Sequence, residues 1–313
     1  MIGAAGLLTA LLLAFQLSAQ TFALANEDNG IKVVPVNFTL NGYSYEIEGV
    51  AKSTEGDYQI KSPSRLAARK LPSAYDPRSS GEITTVKDQA STGACWAFSA
   101  LACAEQDLIK KGLENPSAEF SVPALVMSSN SGTATGKDDF SSGGNWLFAA
   151  SALANGQGLC YEDYEPFLES GTENMIVSEN KKSVSEYRLN YVMELSSTTQ
   201  VKRKIMELGA VSASYFAGNG YMNHNNTAYY DPDASKNTII NHSVTVVGWD
   251  DNYSKDNFRY KPANNGAWLV KGSWGADQDN DGFYWVSYDE AEFGQFCCYD
   301  FEESCDNTYH YSK

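Results

Sequence analysis

The sequence predicts an α+β fold of two lobes, a helical lobe followed by a β-rich lobe with a cleft between them, and two patterns carry that expectation. Apolar residues keep helical spacing from Cys95 through Trp96, Phe98, Leu101, Ala102, Leu108 and Ile109, until Lys110, Lys111 and Gly112 close the run. From Val211 onward the pattern changes to short alternating or wholly apolar stretches, Val211–Phe216, Val244–Trp249, Trp268–Lys271 and Phe283–Tyr288, which read as strands. With 313 residues and 42% hydrophobic content, the chain can build one large domain or two lobes, and no internal repeat is visible.

Taken in order, residues 1–25 read as an export signal. Leu7–Leu17 is almost wholly apolar but short for a membrane span, and Ala23-Leu24-Ala25 is a small-x-small cleavage site, although no Lys or Arg precedes the apolar run. Residues 26–70 read as a short pro-segment or N-terminal arm. Lys32–Leu40 and Tyr43–Val50 alternate as strands around Asn41-Gly42, a hairpin signal, and Ser62–Lys70 mixes basic and small residues ahead of Leu71-Pro72. The main domain then covers residues 71–313. Its second helix is expected at Ser121–Met127, followed by a Ser/Gly-rich loop over Ser128–Ser142. A third is expected at Trp146–Asn155 with Gly156 as its stop, and a fourth at Thr198–Leu208 with Gly209 at its end.

Cys95 is the chemical centre of this pattern. A turn over Ser91–Ala94 delivers it to a helix N-terminus, where free backbone N–H groups and the positive end of the dipole stabilise a thiolate, the nucleophilic form of cysteine. Gln89, six residues upstream, carries an amide able to donate to an oxyanion together with the Cys95 N–H. A thiol of this kind needs a base. Of the three histidines, His224 lies in an Asn-rich loop and His310 near the C-terminus, whereas His242 precedes the apolar residues Val244, Val246 and Val247 of a strand. Paired with the thiolate as an imidazolium, His242 would lower the thiol pKa and later protonate a leaving amine.

Gln89 followed by Gly93-Ala94-Cys95-Trp96-Ala97-Phe98-Ser99 resembles the nucleophile segment of papain-like cysteine peptidases, including the Gln-to-Cys interval. Asn241–Trp249 is similar to that family's histidine strand, and Gly266–Gly275 to the strand carrying its third catalytic residue. Ser141-Ser142-Gly143-Gly144 resembles the element that binds substrate backbone, without its cysteine. The resemblance spans about residues 71 to 300 and implies a papain-like two-lobe fold in which Gly143 and Gly144 pair with substrate, and in which Trp274 shields the histidine and lines the substrate site. Glu105 matches a glutamate of the nucleophile helix whose implied role is structural.

Two departures accompany the matches. The family's orienting Asn is Gly272 here, so the imidazole must be positioned by packing, water or another group. The cysteines of the family disulfide that joins the nucleophile loop to the Gly-Gly element would fall at Thr92 and Ser141, and both are absent. Secreted bacterial members are similar in this respect and in Gly248–Tyr253.

The net charge of −16 and pI of about 4.6 argue against nucleic acid or an anionic membrane as partners, since both demand a basic face. Cys103, Cys160, Cys297, Cys298 and Cys305 leave an odd thiol if some pair in an exported chain, and their spacing has no metal-ligand pattern, so neither a metal nor a cofactor is expected. The residues thus point to a secreted or cell-surface cysteine endopeptidase, acting as a monomer on protein or peptide substrates and attenuated by Gly272. The alternative is a papain-fold binding or adhesion module with weak or absent catalysis.

Overall fold

The computed structural model describes residues 70–129, 140, 143–154, 158–164, 166–167, 187–234 and 240–303, together with the backbone of 33–40 and 43–51. In chain order its strands are β1 (Val33–Leu40), β2 (Tyr43–Ala51), β3 (Ala74–Tyr75), β4 (Tyr187–Glu194), β5 (Val211–Tyr215), β6 (Met222–Asn223), β7 (Ala228–Tyr229), β8 (His242–Asp250), β9 (Ala267–Lys271), β10 (Phe283–Ser287) and β11 (Gly294–Glu303). The helices are α1 (Cys95–Lys110), α2 (Val122–Ser129), α3 (Trp146–Ala152) and α4 (Thr198–Leu208).

Helix α1 forms because a run of Ala, Leu, Phe and Trp with no Gly or Pro can be buried on nearly every side. All of Cys95 to Leu108 is buried, so this is a core helix and not a surface one. Gly112, at φ +72°, ends it where a β-carbon would be strained. Helix α4 is the amphipathic counterpart. Ser197 accepts from the Gln200 N–H at its start, and Gly209, at φ +84°, ends it with its N–H donating to the Ile205 carbonyl. Helix α3 starts one residue after Asn145, whose side chain accepts from the Leu147 and Phe148 N–H groups, and helical turns continue through Ala154, while Asn155 and Gly156 lie outside the described residues.

The main sheet runs β4-β11-β5-β8-β9-β10-β7-β6, with β3 paired to β8. Strands β5, β8 and β9 are buried on both faces, which explains their near-continuous apolar sequences. Helix α1 packs on β8 and β11, so the start of α1 and the start of β8 lie at the same end of the helix–sheet contact. Ser99, one turn into α1, donates its hydroxyl to the Val244 carbonyl at 2.7 Å and shares a 2.8 Å hydrogen bond with the Ser212 hydroxyl, and its own carbonyl accepts from the Thr245 hydroxyl at 3.3 Å.

The order of helices before strands holds only in part. Strand β4 precedes α4, and it is an edge strand with mixed exposure that gives little periodic signal. Strands β1 and β2 pair antiparallel, as the alternation around Asn41-Gly42 implied, while residues 1–25 and 62–69, Ser141, Ser142, Cys305 and His310 lie outside the described residues. Cys95, Cys103, Cys160, Cys297 and Cys298 are buried and unbridged, and among the described residues no cluster of metal-ligating side chains occurs. No described helix is long and apolar enough to cross a membrane.

Candidate active site

Cys95 is the first residue of α1, and Ala94 at the cap supplies no side-chain acceptor, so the first-turn N–H groups keep their capacity to donate. The sulfur is buried. Burial pushes the thiol pKa up, against the pull of the Ser243 amide and hydroxyl and of the Trp96 and Cys95 N–H groups, all of which face the sulfur. Ser243 is the chain neighbour of His242, so this contact brings the start of α1 against the start of β8. The Ser243 hydroxyl lies 3.1 Å from that of Ser214 on β5.

His242 sits in aromatic surroundings. Trp274 lies flat on the imidazole with ring centroids 4.3 Å apart and planes 8° apart, and Tyr215, its register partner on β5, presents a ring edge at 5.9 Å. The Nε2 atom is buried and has no hydrogen-bond partner among the described residues. Burial alone pushes the His242 pKa down to about 4. Burial thus works against the imidazolium–thiolate pair read from the sequence. Both groups are driven toward their neutral forms, because the ring is packed among apolar faces and no acceptor stabilises its charge.

Gln89 is buried and tied at both ends. Its Nε2 donates to the Thr92 carbonyl at 2.7 Å, its Oε1 accepts from the Ser273 hydroxyl, and its N–H donates to the Ser273 carbonyl at 2.8 Å. The second hydrogen on Nε2 stays available for an oxyanion. These bonds also couple the nucleophile loop to the Gly272–Trp274 turn, where Asp88 and Trp274 form a β-bridge. Gly272 itself does not have a positive φ; a β-carbon there would lie 3.0 Å from the Gly282 carbonyl oxygen and 3.4 Å from Tyr284 Cε1.

The Gly-Gly element reaches the same place. Gly143 has φ +71°, and a β-carbon on Gly144 would fall 2.4 Å from the Trp96 indole nitrogen, so only glycine lets this segment lie on the residue next to Cys95. No disulfide links Thr92 to the segment before Gly143. In that region the Gly93 N–H donates to the Phe140 carbonyl. Glu105 accepts from the Thr84 hydroxyl at 2.8 Å, Lys87 at 3.0 Å and the Phe120 N–H at 3.3 Å, which makes it a buried structural anchor, as the resemblance implied.

The structure thus gathers Cys95, His242, Gln89, Gly143, Gly144, Gly272 and Trp274 around one helix–sheet junction, and it leaves His224 on a separate loop. Sequence reasoning missed Ser99, Ser214, Ser243, Tyr215, Ser273 and Tyr284. Ser99 had a legible signal, a lone hydroxyl amid an apolar helical run, which must find a partner when buried. The rest depend on strand register.

Residues 71–303 match the family model described as papain family cysteine protease. The chain belongs to the papain family of cysteine proteases. Among its papain-family relatives, procathepsin L of Felis catus is 28% identical over 223 residues, covering 70% of this chain and 61% of the relative. Cathepsin L2 of Homo sapiens is 26% identical over 224 residues, covering 70% and 62%. The chain therefore spans about three fifths of the length of these two relatives. The solved structure of the clostridial cysteine protease Cwp84 after propeptide cleavage superposes with a TM-score of 0.67 at 31% identity, covering 74% of this chain and 59% of that one. A second structure, of the cysteine protease and lectin-like domains of Cwp84, a surface layer associated protein of Clostridium difficile, gives 0.67 and 31% over 76% and 53%.

Proposed function

We propose that this chain is an extracellular cysteine endopeptidase that cleaves peptide bonds through a thioester, with Cys95 as nucleophile and His242 as base and then acid. The observation that carries the reading is the seating of the Cys95 sulfur, at the start of α1, against Ser243 beside His242, with Trp274 stacked on the imidazole.

In acylation the sulfur attacks the scissile carbonyl carbon while the neutral His242 takes the thiol proton. The carbonyl oxygen becomes negative and receives the Cys95 N–H and the free amide hydrogen of Gln89. The carbon–nitrogen bond then breaks, His242 passes the proton to the departing amine, and a thioester remains. Water, giving a proton to His242, attacks the thioester; release of the acid returns the thiol. Gly143 and Gly144 pair with extended substrate backbone as an added strand, and the exposed face of Trp274 offers substrate an apolar surface. The reaction so written uses neither metal nor cofactor.

Gly272 sets the rate. With no acceptor at Nε2, the imidazolium formed during each step is stabilised less, and turnover is slow but real. The apolar N-terminal run, the acidic charge and the likeness to a surface-layer associated protein support action outside a bacterial cell on protein or peptide substrates. Hydrolysis of a peptide library by the purified protein, against Cys95→Ala as control, tests the reading. Turnover lost in the variant supports it; equal turnover in the two proteins hands the fold to the binding-module alternative, which the unpartnered Nε2 favours.

A further inference from the structure

Four rings, the imidazole of the base among them, form a closed circuit. Trp274 stacks on His242 at 4.3 Å, Tyr284 lies parallel to Trp274 within 12° at 6.4 Å, the Tyr284 hydroxyl meets that of Tyr215 at 2.9 Å, and the Tyr215 ring edge returns to His242 at 5.9 Å. Both tyrosines are buried, Tyr215 on β5 opposite His242 and Tyr284 on β10. Tyr284 Cε1 stands 3.4 Å from where a β-carbon on residue 272 would be, so the tyrosine ring crowds the space that a side chain at 272 would enter.

We infer that Tyr284, bonded through its hydroxyl to Tyr215 and backing Trp274, is the positioning residue for His242 and, by holding those two rings against the imidazole, does what a side chain on residue 272 would do by hydrogen bonding; the inference rests on the peptidase reading of Cys95 and His242. The physics differs between the two devices. The ring stacked on the imidazole is Trp274, with Tyr284 behind it; it fixes the imidazole plane but accepts no proton, so it orients the base without stabilising its charge. Burial keeps both phenols protonated, and their mutual bond satisfies two hydroxyls that would otherwise be buried without partners. Filling residue 272 in the present protein sets the new side chain 3.0 Å from the Gly282 carbonyl oxygen and 3.4 Å from Tyr284; cutting back Tyr284 frees the ring side of that space and leaves the carbonyl contact in place.

The test is a cycle of Gly272→Asn, Tyr284→Leu and the double variant, with Tyr215→Phe as the milder change. Tyr284→Leu lowers kcat about tenfold with KM nearly unchanged, Gly272→Asn alone gives no gain, and the double variant recovers turnover over Tyr284→Leu. A packing role alone would instead shift thermal stability additively and leave kcat in place. The ring is also read without turnover, by nitrogen NMR of the imidazole in Cys95→Ser protein, with His242→Gln to assign the signals. One sharp set that broadens or shifts in Tyr284→Leu supports the inference; identical His242 signals in the two proteins overturn it. A wild-type protein without peptidase turnover would defeat the functional reading alone, and the NMR comparison would still decide this one.

Discussion

Ser99 on α1 donates to the carbonyl of Val244 on β8 at 2.7 Å, one helical turn below Cys95 and two residues beyond His242. The same hydroxyl meets Ser212, and the Ser99 carbonyl receives Thr245. Nucleophile and base come from elements far apart in sequence, and this is where those elements are stitched together.

Ser99→Ala should therefore cost both stability and rate. It leaves the Val244 carbonyl and the Ser212 hydroxyl short of a buried partner, worth about 1–3 kcal/mol, which a thermal melt measures. A small shift of α1 against β8 would lower kcat more than it raises KM. An unchanged kcat in a folded variant would mean that the stitch does not set the distance between Cys95 and His242.

Burial favours a neutral thiol beside a neutral imidazole. Peptidase activity should rise with pH through about 4, as His242 loses its proton and becomes able to take one from Cys95. Alkylation by a small reagent such as iodoacetamide should follow thiolate alone, staying slow near pH 6 and rising only above the ordinary cysteine value of about 8.5. Fast alkylation on a plateau from pH 5 would instead reveal the ion pair.

Acid stability follows from the same histidine. Its folded pKa, about 4, lies below its ordinary 6.5, so the unfolded chain binds the proton more tightly, and stability is lost as pH falls from 6.5 through 4. That shift corresponds to about 3 kcal/mol at about 1.4 kcal/mol per pH unit. Burial raises Asp107 and Glu290 to about 7, which acts in the opposite sense because those carboxyls hold their protons better when folded. The His242 contribution is isolated by the difference between wild type and His242→Leu, which should change across pH 4 to 6.5; a constant difference would refute it.

Processing should remove the arm before Leu71. The Pro72 carbonyl accepts from the Trp249 indole N–H at 3.2 Å, and Ala74 pairs with Asp250, so the chain is anchored to β8 from residue 72 on. The basic stretch Arg65–Lys70 lies just outside that anchor. N-terminal sequencing of exported protein should give a start near Leu71, and a start only at Asn26 would exclude cleavage there.

The sequence exposed most of the site because its chemistry is local. Cys95, Gln89 and the Gly143-Gly144 pair are written in short segments whose backbone needs, a helix start, a turn and two residues without side chains, constrain residue type directly. Helix α4 was legible to the residue because Ser197 and Gly209 cap it. What the sequence hid depends on register between distant strands. Tyr215 faces His242 only because β5 pairs with β8 in one alignment, and Tyr284 reaches Gly272 only through β9 and β10. Strand β4 was missed because an edge strand with half-exposed residues on both faces lacks clean alternation. The effect of burial on the pair was hidden as well, since it depends on rings supplied by two distant segments, Tyr215 and Trp274.

The most direct measurement of the central claim is labelling with a peptide-based irreversible thiol inhibitor, followed by mass mapping, in wild type, His242→Ala and Gln89→Ala. Recognition of the peptide and proton transfer by His242 should give one adduct per chain, on Cys95 and not on the buried Cys103, Cys160, Cys297 or Cys298. The rate should collapse in His242→Ala and fall by a smaller factor in Gln89→Ala. Labelling of Cys95 at the same rate in wild type and His242→Ala, or an adduct placed on another cysteine, would contradict the account.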